Sequence, residues 1–172
     1  MTKDQPVLKK EIRILGIAAT DSKSERRLVG IIFRGNLWLD GILTCSFDTH
    51  TDYISDIART ILKSRQYSQI RVIISRENSL PKGLLDLRKL SLETHLPTIS
   101  IKSKNHSQST TKYQTKQYVC IQKGRKKVTA QTLELDKRAA SEIYLIACRG
   151  NSLVPEALRT AELITVALGK SI

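Results

Sequence analysis

The chain has 172 residues, of which 40% are hydrophobic, enough for a single domain over residues 1–172 with a sizeable core. Its formal net charge of +13 favours a polyanionic partner such as nucleic acid, RNA or DNA, and says nothing about fold. No apolar run approaches the roughly 20 residues that cross a bilayer, and the opening MTKDQPVLKK has no signal-peptide core, so a soluble cytoplasmic protein is expected. Cys45, Cys120 and Cys148 lack any C-x-x-C spacing, which supports neither a zinc ribbon nor a disulfide framework and leaves buried, reduced thiols as the expectation.

In chain order, the first element is an alternating strand near Ile12 to Ile17 that runs out through Ala18 and Ala19 into a polar turn. Strands near Arg27 to Arg34 and Leu37 to Cys45 follow, joined by a hairpin-length turn carrying Gly35 and Asn36. The period then changes to a helical stripe of Ile54, Ile57, Ala58, Ile61 and Leu62, introduced by the capping residues Thr51 and Asp52. Ile70 to Ile74 is a short continuous apolar run, as a buried parallel strand requires. A second helix over about Leu84 to Glu93 and a strand at LPTISI complete a β-α-β-α-β succession, which predicts a mixed sheet with packed helices.

A basic low-complexity insert at about 102–117 breaks the pattern, with no apolar stripe to pack. A hairpin turning at KGRKK follows, then helices over Lys137 to Cys148 and from Pro155 to about Gly169. From Lys102 to Lys127 there are eight cations, Lys102, Lys104, Lys112, Lys116, Lys123, Arg125, Lys126 and Lys127, and no acidic residue. Lysines on a surface are usually solvated or paired with acids, but this segment has no acids. The cations suit phosphate contacts, and Tyr113 and Tyr118 suit stacking on unpaired bases. Trp38 reads as a core residue.

LVGIIFRGNLWLDGILT and RGNSLVPEALRTAELITVAL, with the order of elements between them, resemble the uncharacterised archaeal relatives of endonuclease V over about Glu11 to Leu168. The resemblance implies a ribonuclease-H-like α/β fold, a mixed sheet flanked by helices, with the first strand beside the strand at Ile70 to Ile74. In those relatives the first strand ends in an Asp-Asp-Gly type motif and the fourth in another acidic residue; in endonuclease V such carboxylates hold magnesium beside the scissile phosphate. Here Ala18, Ala19 and Thr20 stand at the first place, and Ser75 and Arg76 at the second, with Glu77 one position on. Alanine offers no ligand, and an arginine repels Mg²⁺ while attracting phosphate.

Asp40 matches the W-L-D-G motif and reads either as a remnant of the pocket or as a turn residue. Asp21 reads as a replacement ligand or a solvated turn residue, and Glu156 as a partner of the helix dipole or of Arg159 ahead of a metal ligand. A His commonly follows the P-E-x-L-R segment in the relatives; this chain has Glu162. His50, His95 and His106 have no ligand spacing, so neither a metal nor another cofactor is assigned. The expectation is a non-catalytic nucleic-acid-binding protein that contacts phosphates through the basic segment and Arg76, an accessory role in a ribonucleoprotein assembly being compatible. The alternatives are a divergent metal-dependent endonuclease using Asp21, Asp40 and Glu77, and a protein-interaction module.

Overall fold

A computed structural model describes residues 10–20, 26–48, 52–77, 86–102 and 117–169. Its strands are β1 (Arg13–Ala19), β2 (Arg26–Arg34), β3 (Trp38–Phe47), β4 (Ile70–Arg76), β5 (Thr98–Ile101), β6 (Gln117–Lys123) and β7 (Lys126–Leu133). The helices are α1 (Tyr53–Leu62), α2 (Leu87–Thr94), α3 (Lys137–Ala147) and α4 (Glu156–Gly169).

All seven strands form one sheet in the order β3-β2-β1-β4-β5-β7-β6. β1, β2 and β3 are antiparallel neighbours, and β1 lies parallel to β4 with Gly16 opposite Ile74. Both arrangements are those implied by the periodicity and the resemblance. α1 and α2 cover one face through Leu15, Ile17, Ile57, Ile61, Ile73 and Leu90. α3 and α4 cover the other through Ile14, Ile74, Tyr144, Ala157 and Leu158. Both layers bury side chains on alternate positions of the same strands, which is why β1 and β4 read as nearly unbroken apolar runs.

Gly16 lets α4 lie directly on β1. A Cβ there would stand 2.3 Å from the Ala157 carbonyl carbon and the Leu158 nitrogen, so only glycine permits this approach.

Several local expectations change. Leu62 is 39% exposed although its stripe partners Ile54, Ile57, Ala58 and Ile61 are buried. Asp52 makes no side-chain cap to α1; its carboxylate accepts from Lys89 Nζ at 2.6 Å instead, tying α1 to α2. Trp38 is not core: it is 51% exposed on the edge strand β3, opposite Arg34 and beyond Leu43, Cys45 and Phe47, which pack beneath α1. Of the three free thiols only Cys148 is buried; Cys120 is exposed on β6, the other edge. Burial pushes the Cys148 thiol up to about 12, so it remains protonated.

Candidate functional site

β1 and β4 run parallel and end together, which places Ala18 and Arg76 two residues beyond the Gly16–Ile74 pair on adjacent strands. Alternation turns both toward α4. Ala18 is fully buried against Val29, Ile31 and Ala161. Arg76 Nε donates to Glu162 Oε1 at 2.7 Å, and both side chains are between a quarter and a third exposed. Ser75 points to the other face, buried, and its Oγ has no hydrogen-bond partner.

The local polarity is therefore reversed relative to what the resemblance implies. A cation stands at the end of β4, its counter-charge comes from α4, and apolar packing fills the end of β1. Clustered carboxylates around magnesium do not fit these residues: Ala18 and Ala19 supply no oxygen, and Arg76 already occupies the Glu162 carboxylate. Among the described residues no three His, Cys, Asp or Glu side chains are grouped to hold a metal.

Asp40 lies elsewhere. It accepts from Arg13 Nε at 2.5 Å and from Arg34 Nε at 2.9 Å, beside the start of β1. Arg13 and Arg34 are direct cross-strand partners, and so are Ala18 and Val29 five residues along. At about 3.3 Å per residue, Asp40 is roughly 16 Å along the strand from the Ala18–Arg76 end. The Arg13 hydrogen bond, and then that of Arg34, hold the Asp40 carboxyl below its ordinary value. Asp40 is thus an ion-pair residue and is not gathered with Glu77, which follows Arg76 and whose backbone N donates to Ile101 O. Asp21 lies outside the described residues. Glu156 is buried and pairs with Arg159 at i+3, Arg159 Nη2 to Oε2 being 2.7 Å.

Of the basic segment, Lys102, Lys123, Arg125, Lys126 and Lys127 are described, whereas Lys104, Lys112, Tyr113 and Lys116 fall outside the described residues. Lys102 Nζ sits 4.3 Å over the Tyr118 ring, a cation–π contact that occupies both. The other four form the tip of the β6–β7 hairpin, where Lys123 faces Lys126 and Gln122 faces Lys127.

This tip does not adjoin Arg76. Lys123 Nζ donates to the Cys148 carbonyl at 3.4 Å, and Asn36 Nδ2 donates to the same oxygen at 2.9 Å. Asn36 belongs to the β2–β3 turn, so the hairpin tip borders the end of β1 opposite Ala18. Sheet twist accounts for this. Five strand steps separate β2 from β6, and at 20–25° each the hairpin is turned by roughly 100–125° across the face covered by α3 and α4. Lys126 Nζ reaches Asn151 O at 3.2 Å. Two Arg-Gly-Asn turns, Arg34–Asn36 and Arg149–Asn151, therefore meet at the hairpin, each with its glycine at positive φ. The repeated tripeptide is the sequence signal for this convergence; the Arg76–Glu162 pair, 86 residues apart, has none.

No family model matches the chain. Among solved structures, a protein of unknown function from Archaeoglobus fulgidus is similar at TM-score 0.70 and 18% identity, over 92% of this chain and 99% of that one. Endonuclease V from Bacillus subtilis is similar at TM-score 0.62 and 13% identity, over 95% and 84%. Endonuclease V from Ciona intestinalis, solved with a 23mer DNA containing an inosine followed by a ribo-adenosine, is similar at TM-score 0.61 and 10% identity, over 92% and 86%. At these identities the likeness is one of fold. In sequence, a UPF0215 protein from Methanopyrus kandleri is 34% identical over 55% of this chain and 50% of its own length. A UPF0215 protein from Methanothermobacter thermautotrophicus is 33% identical over 95% of this chain and 92% of its own length. The chain belongs to the archaeal UPF0215 family and has an endonuclease V-like fold.

Proposed function

We propose that this protein binds nucleic acid without cleaving it. The observation that carries the reading is the Ala18–Arg76–Glu162 arrangement, in which packing and an arginine–carboxylate pair stand where the resemblance implies metal-binding acids. Metal-assisted phosphodiester hydrolysis requires oxygen ligands beside the scissile phosphate, whereas a partly exposed arginine offers a phosphate contact and no nucleophile. The concentration of cations in the segment 102–127 supports the same reading, as does the likeness of the fold to an endonuclease V that was solved with a DNA. An accessory place in a ribonucleoprotein assembly is consistent with the charge.

The test is incubation of the protein with inosine-containing single strands and Mg²⁺ or Mn²⁺, alongside a binding titration at several salt concentrations. Salt-dependent binding with cleavage at background is expected. Turnover that vanishes in Asp21→Asn or Glu77→Gln would replace this reading with the nuclease, and an absence of binding at low salt would favour the protein-interaction module.

A further inference from the structure

The sheet contains two cross-strand pairs of like charge, resolved differently. Arg13 faces Arg34, and Asp40 sits between the two guanidinium groups and neutralises them. Lys123 faces Lys126 at the hairpin tip, and their side chains donate to neutral carbonyls, Cys148 O and Asn151 O. Directly opposed like charges destabilise an antiparallel pair. Arg125, Lys127 and Arg149 are exposed beside them, and among the described residues none of the five makes an ion pair. In this place the fold gathers cations that have no acidic partner among the described residues.

An exposed aromatic residue stands at the same end of the sheet, on the face that α1 and α2 cover. Trp38 is 51% exposed and lies directly across β3–β2 from Arg34, two residues after Asn36. Asn36 and Lys123 share the Cys148 carbonyl, so one line of contacts connects the hairpin tip to the strand edge that bears Trp38. Cations on one face and an exposed aromatic ring on the other, at one end of a sheet, have the chemistry of a single-strand site in which a strand passing round that end gives its phosphates to the cations and a base to the ring.

We propose that the end of the sheet where the two Arg-Gly-Asn turns meet the β6–β7 hairpin binds a single-stranded polynucleotide, Trp38 stacking on a base and Lys123, Arg125, Lys126, Lys127 and Arg149 receiving phosphates. This rests on the nucleic-acid-binding reading and moves its principal contact surface to the end of β1 opposite Arg76. The ligand is a strand with unpaired bases, because a duplex keeps its base faces stacked internally and leaves nothing for Trp38 to cover.

The test uses the whole chain. Trp38 is the single tryptophan, so its emission reports stacking without any substitution. Titration with oligo-dT and oligo-rU of about 12 nucleotides, within the usual 4–16 nucleotide footprint, is followed both by Trp38 emission and by anisotropy of a labelled strand. Saturable quenching with the same midpoint as the anisotropy change is expected, and the tighter oligomer identifies the preferred sugar. The triple substitution Arg125→Gln, Lys127→Gln and Arg149→Gln changes exposed side chains. It should lower the slope of log K against log salt by about two and weaken binding about a hundredfold at 0.1 M salt, whereas Arg76→Gln removes at most one contact. Binding with unchanged Trp38 emission and an unaffected triple variant would overturn this site while leaving the nucleic-acid reading intact. If neither oligomer binds at low salt, the reading itself falls.

Discussion

Arg76 and Glu162 meet at 2.7 Å across the gap between β4 and α4, and the carboxylate takes the position on the guanidinium that a phosphate oxygen would use. Glu162→Gln should leave Arg76 charged and available. Partly exposed ion pairs are worth about 0–1 kcal/mol, so binding of an oligonucleotide that reaches this cleft should tighten by about two- to fivefold, with a steeper salt dependence. A strand confined to the opposite end of the sheet would gain less, from net charge alone. Measuring Glu162→Gln alone and combined with the hairpin triple variant separates these cases.

Ala18→Asp tests whether the end of β1 can take the acid that the resemblance implies. Ala18 is fully buried among Val29, Ile31 and Ala161, so a carboxylate there loses hydration and destabilises the fold by about 2 kcal/mol. Its nearest cation is Arg76, which would pair with it and exclude Mg²⁺. The single variant should therefore melt lower, to the same extent with and without Mn²⁺, and should not cleave. Ala18→Asp combined with Arg76→Asp would set two new carboxylates beside Glu162 and remove the competing cation. That variant should show Mn²⁺-dependent thermal stabilisation.

The sequence and the structure agree where the physics is local. The stripe of Ile54, Ile57, Ala58 and Ile61 defines α1, and the stripe of Ala140, Ile143, Tyr144 and Ala147 defines α3. Trp38 misleads because its burial depends on β3 being an edge strand and on how far α1 reaches along it: Leu43, Cys45 and Phe47 pack beneath α1, and Trp38 lies beyond them. Asp40 could not be distinguished from a pocket residue because its partner Arg13 lies 27 positions away on a non-adjacent strand. That β1 ends in alanines, with no acid at Ala18 or Ala19, was visible directly in the sequence. The location of the basic hairpin was not, since it depends on twist accumulated over the whole sheet.

Asp40 gives a pH dependence with a definite sign. Its pKa is lowered in the folded state by the Arg13 and Arg34 hydrogen bonds, so its contribution is fully present above the unfolded value of about 3.9. That contribution is lost as pH falls from about 4 through the lower folded value. Urea midpoints should therefore drop between pH 5 and pH 3, and Asp40→Asn should reduce that drop. At pH 7 Asp40→Asn should cost about 1–2 kcal/mol, because Arg13 and Arg34 then oppose each other without an anion. An identical pH profile in the variant would show that other carboxylates carry the acid sensitivity.

Gly16→Ala tests the contact that orients α4 and, through it, Glu162. The added Cβ would meet the backbone at Ala157 and Leu158, at 2.3 Å to each nearest atom, and neither neighbour is the flexible end of a side chain. α4 must therefore shift away from β1, at about 1–3 kcal/mol for overpacking. The shift starts one turn before Ala161 and carries Glu162 with it, so the Arg76 pair should weaken in the same variant. Gly169→Ala is the control, because nothing lies within 4 Å of its added Cβ and alanine favours the helix. Gly16→Ala should lower the melting temperature and increase amide exchange along α4, while Gly169→Ala should change the melting temperature little or raise it. Equal melting temperatures for the two variants would mean that α4 does not rest on β1 through Gly16, and the placement of Glu162 over Arg76 would lose its support.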